Sequence, residues 1–149
     1  MKKYLKVFIV FLLFVVLIVA ILLWIYIPGK DTFIQYKTTE ITTTNREAHV
    51  FIRQKVWGMN ADHRLVYITN DKDEDAGPSE NTDYIFKGFS PIFYKQSNDT
   101  IYIFCSVASI VPPNWINSFT IHQIELNNQE VMKLLDKENY KKENLNLID

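Results

Sequence analysis

A mainly β fold is predicted for the larger part of this chain: a small antiparallel sandwich or partly open barrel of about seven strands, with a C-terminal α-helix. One N-terminal transmembrane helix is predicted to precede it. Three observations carry this reading. Twenty-one consecutive apolar or aromatic residues fill positions 7–27. Beyond them, short stretches rich in Thr, Tyr, Ile, Val and Phe alternate in hydropathy, the period-2 pattern of half-buried strands. After Leu126 the apolar period lengthens to that of a helix.

The run at 7–27 contains five Val, three Phe, five Ile and five Leu, with Ala20, Trp24 and Tyr26, and no charge. At about 1.5 Å per residue it spans roughly 31 Å as a helix, the thickness of a hydrocarbon core. Eighteen strongly apolar side chains at roughly −0.4 kcal/mol each favour insertion by about 7 kcal/mol at most. A cleaved signal peptide is the competing reading, because Lys2, Lys3 and Lys6 form a basic start. The run exceeds a typical signal core, and Trp24 to Pro28 stand where a small-residue cleavage site belongs, so an uncleaved anchor is expected. The basic bias places the N-terminus, residues 1–6, in the cytoplasm and exports the rest. Trp24 and Tyr26 are the expected membrane-interface residues, and Pro28 and Gly29 end the helix in a short linker, 28–31.

The exported domain is expected over 32–138, with candidate strands at 32–43, 48–57, 64–69, 84–87, 92–95, 100–107 and 119–126. Parity puts Val50, Ile52 and Val56 on the core face of the second strand, and Phe51, Arg53, Lys55 and Trp57 on the other. Ile101, Ile103, Cys105 and Val107 align against Tyr102, Phe104 and Ser106, which predicts a central strand. Asn98-Asp99 predicts a hairpin. Asn127, with Glu130 three residues on, opens a helix expected over 128–138, whose stripe of Val131, Leu134 and Leu135 packs on the sheet. Residues 139–149, rich in Lys, Glu and Asn, are expected to be a flexible tail.

From Asp31 onward 12 basic residues face 17 acidic ones, a net of −5, and the stretch 70–83 alone carries six acidic residues against Lys72. No basic patch invites nucleic acid. The single Cys105 excludes a disulfide framework. Asp71, Asp73 and Asp75 resemble the opening of a calcium loop, yet Ala76 stands where the loop needs Gly and Thr82 where it needs a bidentate Glu. A solvated acidic loop is the preferred reading, with Gly77-Pro78-Ser79 in support. His49, His63 and His122 have no ligand spacing, Cys105 has the context of a buried apolar residue, and hydrolase and phosphate-loop motifs are missing. No catalytic residue and no cofactor are expected. The best contact loop is 110–116, where Pro112 and Pro113 stiffen a turn that presents Trp115. Of the two readings of Trp115, display to a partner or folding back over the core edge, folding back is preferred.

The plan of basic start, apolar span and sheet domain resembles many small bacterial envelope proteins, a likeness of architecture that identifies no family. It implies a single-pass cell-membrane protein, its C-terminal domain periplasmic or extracellular, whose partners are the bilayer and another envelope protein. A non-enzymatic binding or envelope-assembly accessory module is the expectation. The alternative is an immunity-type inhibitor of a toxin acting in the envelope, with 70–83 as its contact; a hydrolase or metal-dependent enzyme comes third.

Overall fold

A computed structural model describes residues 2–26, 34–43, 48–58, 60–73 and 76–148, and divides the chain into two compact units, Met1–Thr32 and Phe33–Asp149. The first unit is a single helix, α1 (Lys2–Tyr26). Every side chain described from position 8 to 24 is exposed, with Phe8 at 61% and Trp24 at 84%. Among the described residues no helix is long and apolar enough to cross a membrane. The side chains of Val7, Ile25 and Tyr26, and all of Ile27 to Phe33, lie outside the described residues, so the predicted span is represented only in part.

Among its described residues the second unit holds eight strands in two four-stranded sheets. The first sheet is an antiparallel meander of β1 (Gln35–Thr42), β2 (His49–Trp57), β3 (His63–Thr69) and β4 (Tyr84–Lys87), in spatial order 1-2-3-4. The second contains β5 (Ile92–Ser97), β6 (Thr100–Cys105), β7 (Thr120–Glu125) and β8 (Asn146–Ile148), in order 7-6-5-8. The structure is thus mainly β with a C-terminal helical region, as the alternation predicted.

Alternation in both sheets produces one continuous core. Ile41, Val50, Ile52, Val66, Ile68, Tyr84 and Phe86 of the first sheet meet Ile92, Ile101, Ile103, Cys105, Phe119 and Ile148 of the second. Such burial of aliphatic and aromatic side chains is the main favourable term in folding. β6 is central, between β5 and β7, and its outer residue Phe104 belongs to a second cluster. That cluster, Phe93 with Leu134 and Leu145, lies beneath α2 (Asn128–Leu135). The α2 start is a capping box: the Asn127 side chain accepts from the Gln129 and Glu130 N–H groups, and Glu130 accepts from the Asn127 N–H.

The hairpin between β5 and β6 turns at Asn98-Asp99, with Asn98 at φ 53°, a conformation Asn tolerates. The β2–β3 turn depends on Gly58, at φ 97°, where a Cβ would sit 1.8 Å from Asp62 Oδ1.

Four expectations need correction. The expected tail folds: a 3₁₀ turn (Asp136–Glu138) shortens the predicted helix, α3 (Asn139–Lys142) follows, and β8 pairs antiparallel with β5. Leu145 and Ile148 supply the apolar area that fixes it, and Arg64 donates to the Ile148 carbonyl. β6 stops at Cys105, so Val107 is 73% exposed rather than in the core. β7 runs parallel to β6, which requires the 14-residue crossover 106–119. On β2, Arg53 is buried at 1% exposure rather than solvated. The reason lies in residues 71–73 and 76, whose main chain stands over the outer face of the first sheet. Arg53 donates to the carbonyls of Asp71 and Asp73, and Tyr67, also buried, donates to the Ala76 carbonyl at 3.4 Å.

Candidate binding groove

β4 is an edge strand, and its outward backbone groups need partners. The crossover 106–119 supplies one. Ser109 Oγ accepts from the Ile85 N–H at 2.7 Å and donates to the Ile110 carbonyl at 3.0 Å. Ser109 is itself clamped by the Gln123 carboxamide of β7, which accepts from its N–H at 2.7 Å and donates to its carbonyl at 3.0 Å. Glu125 accepts from the Ala108 N–H at 3.0 Å. A short piece of irregular chain is therefore pinned between the edges of the two sheets.

On its outer side this strap leaves a groove of about 430 Å³, bounded by β4 and its preceding turn on one wall and by 107–110 on the other. Ile85, Val107 and Ile110 give it apolar lining; Asp83, Lys87 and Ser109 give it polar points. Its volume and mixed lining are those of a small-ligand or peptide site. The Asp83 carboxylate accepts from the Ser79 N–H at 2.7 Å, while the Asp83 N–H donates to the Ser79 carbonyl at 2.8 Å, so it shapes the turn. Glu80 pairs with Lys87 at 3.5 Å in full solvent, a contact of little energetic weight.

The predicted contact loop adjoins this groove. Pro112 is buried and Pro113 exposed. Trp115 folds back: its ring meets Tyr84 edge-on at 5.1 Å and 77°, and Nε1 donates to the Phe119 carbonyl at 3.2 Å. Burial raises the Tyr84 hydroxyl above its ordinary pKa. The display consists instead of Val107, Ile110, Val111 and Ile116, at 73%, 87%, 64% and 85% exposure. Isolated apolar residues on a surface need no explanation, but Val107 and Ile110 both line the groove, whereas Ile116 lies by a separate hollow with Thr69, Asn70 and Asp71. The sequence marks 110–116 by its proline pair, Trp115 and the flanking apolar residues; Val107 lies outside that segment.

The other candidates are dispersed. Asp71 Oδ1 accepts from the Asp73 N–H at 2.9 Å, and both backbone carbonyls face the Arg53 guanidinium. A cation drawn to those carbonyls meets a positive charge, and Asp75 lies outside the described residues. His49 lies 2.6 Å from Glu40, His63 stacks on Trp57, and His122 meets Tyr102 edge-on. Among the described residues no group of three His, Cys, Asp or Glu side chains is placed to hold a metal. Burial, with Glu125 adding to it, pushes the Cys105 thiol from its ordinary 9.0 up to about 11, which disfavours the nucleophilic thiolate. Trp24 is exposed on α1; the Tyr26 side chain lies outside the described residues.

Comparison with protein families, with curated proteins and with solved structures finds no match for this chain.

Proposed function

We propose that this chain is a single-pass membrane protein, anchored through residues 7–27 with its N-terminus cytoplasmic, whose exported β domain is a non-enzymatic binding or envelope-assembly module. The anchor rests on the uncharged 21-residue run in the sequence and on the exposed apolar side chains of α1. Seventeen successive exposed apolar side chains in water would cost tens of kcal/mol relative to burial, at about 1.5–3 kcal/mol for each large residue. Lipid removes that cost.

The binding role rests on one observation: the exposed aliphatic side chains of Val107 and Ile110 that line the β4 groove, with exposed Val111 next in the chain. Its occupant is an apolar segment of another envelope protein, entering the groove beside Ile85.

Photocrosslinking tests this. A photoreactive residue at Ile110 should yield a discrete product in intact cells, and Val111→Asp should abolish it while the domain keeps its circular dichroism. No product at Ile110, or one unaffected by Val111→Asp, refutes the groove. Carbonate extraction tests the anchor: release of the chain from washed membranes refutes it.

A further inference from the structure

Asp83 belongs to two cavities. It lines the groove beside β4, and it also lines a hollow of about 300 Å³ to which Asp71 and Thr82 contribute from the acidic segment, and Asn114 and Ile116 from the crossover. Two bonds tie those segments together: the Asn114 N–H donates to the Asn81 carbonyl at 2.9 Å, and the Asn70 carboxamide donates to the Ile116 carbonyl at 3.0 Å. The hollow is therefore built into the fold. Asp83 is 6% exposed, yet among the described residues no cation pairs with it. Its Oδ2 accepts from the Ser79 N–H; no described group donates to Oδ1, which is not sealed from solvent. A buried carboxylate is costly until a cation or further donors compensate it. Around it Asp71 adds a second carboxylate, Asn114 a carboxamide and Thr82 a hydroxyl, the last two bonded to no described group.

We infer that this hollow seats the guanidinium of an arginine, so that the protein segment entering the groove carries an arginine beside its apolar residues. The inference rests on the groove reading above. Charge complementarity is the first argument. No Lys or Arg lines the hollow, and across both cavities the ionisable lining is Asp71, Glu80 and Asp83 against Lys87, a net of −2. Arg53 lines neither cavity; it is committed to the Asp71 and Asp73 carbonyls. The second argument is the donor pattern. A guanidinium offers its N–H groups in a planar fork and stays charged when desolvated, which suits a carboxylate oxygen flanked by carboxamide and hydroxyl acceptors. A hard cation such as calcium wants roughly six to eight oxygens, and among the described residues no third acidic side chain joins Asp71 and Asp83. A chain laid along the crossover from Val107 toward Ile116 passes from apolar lining to acidic lining, with Asp83 common to both.

The probe is N-acetylarginine amide, titrated into the isotope-labelled full-length chain in mild detergent and followed by amide chemical shifts. It should move Thr82, Asp83 and Asn114 at millimolar concentration. N-acetylcitrulline amide, similar in shape but uncharged, should leave them in place. Asp83→Asn keeps an acceptor for the Ser79 N–H and removes the charge, so it should weaken arginine binding roughly tenfold, the loss of one charge-assisted hydrogen bond. Asp71→Asn, at an exposed position, should weaken it severalfold and serves where Asp83→Asn disturbs the turn. Equal binding of citrulline, shifts confined to other parts of the chain, or displacement of the probe by millimolar calcium overturns the seat. The photoproduct at Ile110 reads the groove separately. Its severalfold loss in Asp83→Asn joins both cavities to one partner. A product undiminished by that change overturns the arginine seat and leaves the groove standing, whereas no product in the unaltered background overturns the groove and this inference together.

Discussion

Truncating Leu145 or Ile148 to Ala should destabilise the domain as severely as damage to a central strand, although both lie within five residues of the C-terminus. Leu145 is 5% exposed beneath α2, and Ile148 is 8% exposed between the sheets. Each change removes three carbons, about 2.4 kcal/mol at roughly 0.8 kcal/mol per buried carbon. Incomplete collapse of the space left behind raises this toward 3 kcal/mol, within the 2–5 kcal/mol known for such truncations. Domains of this size are stable by only about 5–15 kcal/mol, so a single change consumes a large share. The assay is urea unfolding of the full-length chain in mild detergent, followed by near-ultraviolet circular dichroism. With a denaturant dependence of about 2 kcal/mol per molar, the midpoint should fall by roughly 1.5 M. Asn146→Ser, at the exposed position between them, should move it by less than about 0.3 M. Midpoints for Leu145→Ala and Ile148→Ala that coincide with that of Asn146→Ser would refute β8 as an integral strand.

The remaining predictions concern single groups. Asn127→Ala removes the acceptor for two N–H groups of α2 and should cost about 1 kcal/mol, read as a lower melting temperature. The Cys105 thiol should resist alkylation at pH 8 in the folded chain and react at once in denaturant. Because folding raises its pKa from 9.0 to about 11, its contribution to stability is complete below pH 9 and is lost as the pH climbs toward about 11. Millimolar calcium should leave the melting temperature unchanged; a rise of several degrees would show that Asp71 and Asp73 bind the ion despite Arg53. Arg53→Met, close in volume but unable to donate to the Asp71 and Asp73 carbonyls, should make residues 70–83 several-fold more sensitive to proteolysis while the far-ultraviolet spectrum is retained.

Strands with sustained alternation were legible in the sequence: β2, β3 and β6 lie within a residue or two of their expected limits, and the capping box gave the start of α2. What escaped was set by distant parts of the chain. β8 has three residues, Asn146, Leu147 and Ile148, too few to show a period, and it sits in a charged stretch. Parity is the same in parallel and antiparallel pairs, so the β6–β7 pairing left no trace. Arg53 on an alternating strand reads as solvent-facing; only a covering segment some 18–20 residues further along buries it. The contact loop was found by its proline pair, and the return of Trp115 over the core edge was the preferred reading; that Tyr84 is the ring it meets is invisible to local pattern.

Arg53 grips the segment 71–73 by its main-chain oxygens, and carboxylates take no part in those two bonds. Fastening thus rests on the main chain together with Asp71, whose carboxylate accepts from the Asp73 N–H at 2.9 Å. The exposed Lys72 side chain between them stands outside these bonds. That makes Lys72 the position in this strip where a foreign side chain can be grafted while the strip stays bolted to the sheet beneath.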